Sequence, residues 1–184
     1  MHALPVSLRP TVCSRGLAAA GLFALISGIV PSGAYAQKTG CAITSYTDPP
    51  REVLACADGL TITAERGTEY QLLDRNRDRR PDGAELRSRA LLIELPAGKR
   101  RGEFQVLTPH AIASVRGTGW AVDVAPERTS VFVREGRVKV ARLGSSEQVQ
   151  LGTGQGIDVE PGRPLEAKQW SAERVLRLLA RFGR

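Results

Sequence analysis

An all-β fold closed by one C-terminal helix is predicted by three features of this 184-residue chain. Between Thr108 and Arg142, short segments alternate apolar and polar residues, which is the period of a half-buried strand. A glycine turn, Glu135-Gly136, separates the last two of those segments. Helical spacing enters late, from Trp170 onward. The expected architecture is a two-sheet sandwich or roll of short antiparallel strands, with a short β-solenoid as the alternative, and one amphipathic helix at the end.

Residues 1–36 read differently from the rest. Arg9 and Arg15 lie in a charged start, an apolar run extends from Gly16 to Val30, and Ala34-Tyr35-Ala36 precedes Gln37. This is the pattern of a cleavable secretory signal with a small-x-small cleavage site. The run is short and broken by glycines, so a membrane span is not expected there. Cys41 follows Lys38-Thr39-Gly40 rather than a lipobox, and no later stretch is long and apolar enough to cross a bilayer. The expected product is therefore periplasmic or secreted. Removing Arg9 and Arg15 lowers the 26 basic residues to 24 against 19 acidic ones, a net charge of +5. That balance favours anionic neighbours without naming one. Aromatic residues make up only 5% and are not interleaved with the basic ones, so single-stranded nucleic acid has little to stack on.

Residues 37–59 form an arm containing Cys41 and Cys56, the two cysteines left once Cys13 departs with the signal. An even count in an oxidising compartment predicts a disulfide. Closing a loop of about 15 residues contributes on the order of 3 kcal/mol in the chain-entropy model. Pro49-Pro50 stiffens a turn inside the loop, so the bridge is expected to staple the arm to the first strand.

The β domain spans residues 60–164. Within it, Trp120, Val122 and Val124 share one strand face opposite Ala121 and Asp123. Val131 and Val133 oppose Ser130, Phe132 and Arg134, and Val138 and Val140 oppose Arg137 and Lys139. Glu135-Gly136 carries the signal of a two-residue hairpin. A weak repeat relates residues 61–74, TITAERGTEYQLLD, to residues 111–124, AIASVRGTGWAVDV. Each copy has Arg-Gly-Thr, one further residue and then an aromatic, Tyr70 or Trp120. Two related β units sharing one core are expected, with Gly67 and Gly117 marking bulges or bends between strands.

The pieces Phe104 to Pro109, Ala113 to Thr118, Thr129 to Val133 and Glu135 to Val140 occur in an ordered series, followed by Val149 to Gly152 and Gly154-Gln155-Gly156. In that order and spacing, the segment from about Leu60 to Val159 resembles the FecR-type periplasmic domain. The resemblance implies a domain of short strands and a role in protein recognition at the cell envelope rather than catalysis. Signalling members of that family resemble a three-part device: a cytoplasmic anti-sigma segment, one membrane helix and a periplasmic domain that listens to an outer-membrane transporter. Here a cleavable signal stands where the first two parts should be, and little chain follows the β domain, so transmission to a sigma factor is not expected. An envelope protein partner is.

The loop at residues 74–85, DRNRDRRPDGAE, sets Asp74, Asn76, Asp78, Asp82 and Glu85 at positions 1, 3, 5, 9 and 12 of a twelve-residue frame. Oxygens at such spacing suit calcium. Against that, Arg79 stands where the sharp turn wants glycine, and Arg75, Arg77, Arg79 and Arg80 can neutralise the carboxylates as an ordinary hairpin tip. A calcium-stabilised or ligand-binding structural protein of the envelope is accordingly the second functional reading. Calcium aside, the sequence asks for no cofactor.

Catalytic constellations are thin. His110, Ser114 and Asp123 could be assembled into a triad, yet no nucleophile elbow surrounds Ser114. Two pleats along one strand put His110 about 13 Å from it. Asp158 and Glu160 read as a solvated strand face. Arg116 and Trp120 are candidate binding residues at the Arg-Gly-Thr turn, with an architectural role for both as the preferred reading.

The chain closes, over residues 165–184, with WSAERVLRLLARF from Trp170 to Phe182 at helical spacing. Ser171 suits an N-cap. Trp170, Val175, Leu178, Leu179 and Phe182 form an apolar stripe, and Arg174, Arg177, Arg181 and Arg184 a basic one. The stripe is expected to pack on the parent domain. The alternative is a peripheral grip by Arg174, Arg177 and Arg181 on anionic lipid or an acidic partner groove.

Overall fold

The alternating segments do form strands, and the way they are joined determines which side chains reach the surface. The computed structural model describes residues 40–98 and 102–184; the expected signal peptide lies outside the described residues. Thirteen strands are present among them: β1 (Cys41–Thr47), β2 (Pro50–Cys56), β3 (Thr61–Glu65), β4 (Glu69–Leu73), β5 (Gly83–Glu94), β6 (Phe104–Leu107), β7 (Ala111–Val115), β8 (Gly119–Ala125), β9 (Arg128–Glu135), β10 (Arg137–Arg142), β11 (Gln148–Gly152), β12 (Gln155–Val159) and β13 (Lys168–Gln169). The helix α1 (Ala172–Ala180) follows them.

All thirteen strands belong to one curled sheet, and β5 belongs to both of its branches. The first branch runs β1-β2-β3-β5-β8-β9-β12-β13 and the second β4-β5-β6-β7-β10-β11. The β5–β6 pair is parallel, so the sheet is mixed where wholly antiparallel pairing was expected. Up to Ser88, β5 pairs with β4; from Arg89 onward it pairs with β8. Arg89 has φ 65° at the change. Ala84 and Leu86 face the core before it, Leu91 and Ile93 after it. The shift from even to odd positions is what one extra residue produces, because side chains alternate with a period of two.

Four further corners carry the chain from one branch to the other, at Gly67, Gly117, Gly136 and Gly154, all with positive φ. Gly67 and Gly117 are the two glycines of the Arg-Gly-Thr repeat. At Gly117 the φ of 70° is joined by a close approach, since a Cβ there would lie 2.6 Å from Ala97 Cα. Only glycine meets both demands without strain.

Gly136 overturns the hairpin expectation. β9 pairs with β8 and β12, whereas β10 pairs with β7 and β11, so Glu135-Gly136 joins strands that are not neighbours. The positive φ that suits a hairpin serves equally well to turn the strand out of its branch. The arm also differs from its expected form. Residues 41–56 are the β1–β2 hairpin itself, with Cys41 bonded to Cys56 at its open end and a cis Asp48–Pro49 bond at its turn.

The two branches enclose one core. Trp120, Val122, Val131 and Val133 enter it from the first branch, and Val106, Ala113, Val138 and Val140 from the second. The faces assigned from alternation are the observed ones. On the outer side of the first branch, Ala90, Leu92, Ala121 and Phe132 form a second, smaller apolar cluster beneath α1.

Candidate functional site

That outer cluster is where most of the candidate residues of the C-terminal tail meet. Ser171 caps α1, its hydroxyl accepting from the Arg174 amide at 3.4 Å. The helix is shorter than the apolar stripe, so Trp170 and Phe182 lie just outside its two ends. Both are nevertheless buried with Leu178 against the sheet. Trp170 stacks on Phe132 with ring centroids 5.2 Å apart, and it lies so close over Gly156 that a side chain there would enter the indole.

Arginines fasten both ends of this contact. Arg174 lies 3.5 Å above the Trp170 ring and donates to both oxygens of Asp158, at 3.0 and 2.6 Å. Ser130 donates to the same carboxylate at 2.6 Å. Two helical turns further on, Arg181 donates to Glu65 at 2.8 Å and to both oxygens of Asp123, at 2.8 and 3.0 Å. Arg184 donates to Glu94 at 3.0 Å, and Glu94 also accepts from Arg134 at 2.7 Å. Paired, charge-assisted bonds of this kind fix geometry as well as adding energy.

The protonation states follow from these partners. Hydrogen bonds to Glu65 and then Asp123 outweigh the opposing effect of burial and push Arg181 above its usual range. At Asp158 burial favours the neutral acid. Hydrogen bonds from Arg174 and Ser130, with the charges of Arg174 and Arg128, outweigh it and hold the carboxyl below its ordinary 3.8. A folded value below the unfolded one means that the contribution is complete above the unfolded pKa and is lost as pH falls through the folded one. Asp158→Asn is therefore expected to lower stability at neutral pH and to flatten the acid limb below about pH 4. Acid titrations followed by circular dichroism check this, and superimposable acid limbs would remove Asp158 from the clamp.

The remaining candidates do not gather into one surface. Trp120 is fully buried in the main core, so it is placed to pack and not to touch a partner. Arg116 is largely exposed beside Glu103, at 3.5 Å. Arg177 points away from the sheet and pairs with Glu173 one turn earlier. In the calcium candidate, Asp74 accepts from the amides of Asp78 and Arg79, and Asp78 from that of Arg80. Asn76 accepts from the Asp78 amide. Asp82 accepts from Arg75, and Glu85 from Arg87 on β5. Arg79, at the position expected to want glycine, has φ 68°. The loop thus turns its oxygens toward its own amides and arginines, and among the described residues no three acidic, histidine or cysteine groups converge on a metal position.

His110 faces Thr129, its Nδ1 3.1 Å from the threonine hydroxyl, which is 2.9 Å from that of Thr108. Asp123 is engaged by Arg181, so the His110, Ser114 and Asp123 grouping is not assembled.

Sequence reasoning missed Asp158, read as a solvated position, and the acids Glu65, Asp123 and Glu94 that receive the helix. A signal was present. Arg174 and Arg181 are seven residues apart, which places them on one helical face, and acids interrupt strand faces in β3, β8 and β12.

The FecR protein family model matches residues 48–139, half of the chain. The chain belongs to the FecR family. Among curated proteins nothing matches it. Two crystal structures of a candidate anti-sigma factor from Parabacteroides distasonis ATCC 8503, at 1.65 and 2.50 Å, share its fold with a TM-score of 0.57 and 20% identity in each case. The alignments cover 75% and 76% of this chain but 64% of that one, so the chain spans somewhat under two thirds of that relative. The family match reaches from the β1–β2 turn into β10, which leaves α1 and its arginine clamp outside it.

Proposed function

We propose that this protein is an exported recognition and sensory module that binds another protein of the cell envelope. The observation that carries the reading is the FecR match across residues 48–139, which takes in β2 to β9, most of the strands that build the two-branch core. The fold shared with a candidate anti-sigma factor supports a regulatory setting. The signal pattern of residues 1–36 supports export, and so does the Cys41–Cys56 disulfide. A mature mass beginning at Gln37 in the periplasmic fraction checks that part. We read the module as non-catalytic, because His110 is engaged by threonine and Asp123 by arginine.

Among the described residues no helix is long and apolar enough to cross a membrane. Of the three arginines in the lipid-grip alternative for the tail, Arg174 and Arg181 are engaged by the sheet and Arg177 stays exposed. Retention of a protein ligand from envelope extracts by the purified chain tests the binding half of the proposal.

A further inference from the structure

An apolar row crosses the first branch and ends in the open. Val133, Trp120, Ile93, Ile62, Leu54 and Ile43 are successive cross-strand partners. The first five are at most 2% exposed, whereas Ile43 on β1 is 52% exposed. Among the described residues β1 has β2 on one side and no strand on the other.

The backbone of β1 is set up to pair again. Cys41 and Cys56 face each other with Cα atoms 4.0 Å apart, the close spacing of a non-hydrogen-bonded pair. By the period of two, Ile43 and Ser45 are also at non-hydrogen-bonded positions toward β2, so their N–H and C=O groups point to the open edge. Proteins normally protect such an edge with charge, proline, a bulge or short length. β1, CAITSYT, has seven residues, no charge, no proline and an unbroken register with β2. The other edges are less inviting: β13 has two residues, β4 carries an irregularity between Glu69 and Tyr70, and β11 is shorter than β1, with five residues.

We propose that β1 pairs with the β1 of a second copy of this chain, antiparallel about a two-fold axis at Ile43. In that register Ile43 meets its own counterpart, and Ser45 faces Cys41 of the partner subunit. No charge opposes a charge, and the interface is self-complementary, as a two-fold contact must be. The apolar row then runs unbroken through both copies. Sliding the pairing by two residues sets Ile43 against Ser45 in one direction and against the disulfide-bonded Cys41 in the other, and only the register at Ile43 brings the two apolar rows together.

Ala36–Arg184 form a compact unit on their own, so that form serves for the test. Sedimentation velocity over a concentration series is expected to show a dimer. Ile43→Lys, which opposes two ammonium groups on the axis, should weaken association by about tenfold or more. Leu176→Lys, at a side chain 66% exposed on α1, should leave it unchanged. Amide exchange by NMR should show protection at Ile43 and Ser45 rising with concentration, while Thr44, already paired with β2, stays constant. A monomer at every concentration overturns the proposal and leaves the edge to an extended segment of a different protein. A dimer that survives Ile43→Lys, or one without added protection at Ile43 and Ser45, overturns it as well.

Discussion

Trp120→Ala is expected to destabilise the domain by about 3–5 kcal/mol, the usual cost of emptying a buried tryptophan site. Trp120 is fully buried, with Ile93 and Val133 as its cross-strand partners. It follows the Gly117 corner, where the chain enters the first branch, so its loss opens the core where the two branches meet. Against a typical domain stability of about 5–15 kcal/mol, the variant should be partly unfolded at modest denaturant. Among the described residues its indole N–H has no hydrogen-bond partner. Trp120→Phe should therefore cost much less than Trp120→Ala, because it retains most of the apolar volume and removes an orphaned donor. Urea midpoints for the two variants check the ranking. A Trp120→Ala protein with the wild-type midpoint would return Trp120 to the candidate binding residues.

Removal of residues 170–184 is expected to be the second large effect. It exposes Ala90, Leu92, Ala121 and Phe132 and leaves Glu65 and Asp123 without Arg181 and Asp158 without Arg174. Burial of Trp170, Leu178 and Phe182 contributes about 1.5–3 kcal/mol each. Ordering the tail opposes that gain. A lower melting temperature is expected for the truncated protein, because the helix hydrogen bonds and the cover over the outer apolar cluster are lost together with this burial. The ion pairs add little to the sum because they are partly exposed, and their main effect is to fix where the helix lies. Thermal melts of the truncated and complete proteins measure the difference. Equal melting temperatures would mean that the tail is an independent appendage, free to serve a partner or a membrane.

The strand faces were legible because they rest on local alternation. Trp120, Val122, Val131, Val133, Val138 and Val140 all point inward as their spacing requires. The bends of the repeat were legible for the same reason, since positive φ is a property of Gly67 and Gly117 themselves. Pairing was not legible. Glu135-Gly136 has the residues of a hairpin, yet β9 finds its neighbours in β8 and β12, a decision made by core packing over long separations.

The clamp shows the same limit. Arg181 was readable as part of a basic stripe, but its partners lie 116 and 58 residues earlier. Nothing local distinguishes an arginine that will meet Glu65 from one, like Arg177, that stays in solvent. The seven-residue spacing of Arg174 and Arg181 was the available clue, and it gains meaning only once the sheet beneath the helix is known.

Recognition of another envelope protein, proposed above for this FecR-family domain, is open to direct test. Affinity capture from envelope extracts, with the purified Ala36–Arg184 form as bait and the same protein after heat denaturation as an unfolded control, tests it most directly. The expected result is one protein retained in stoichiometric amount by the folded bait and absent from the control. Recovery of only lipid or cell-wall polymer, or of the same proteins by both baits, would contradict it.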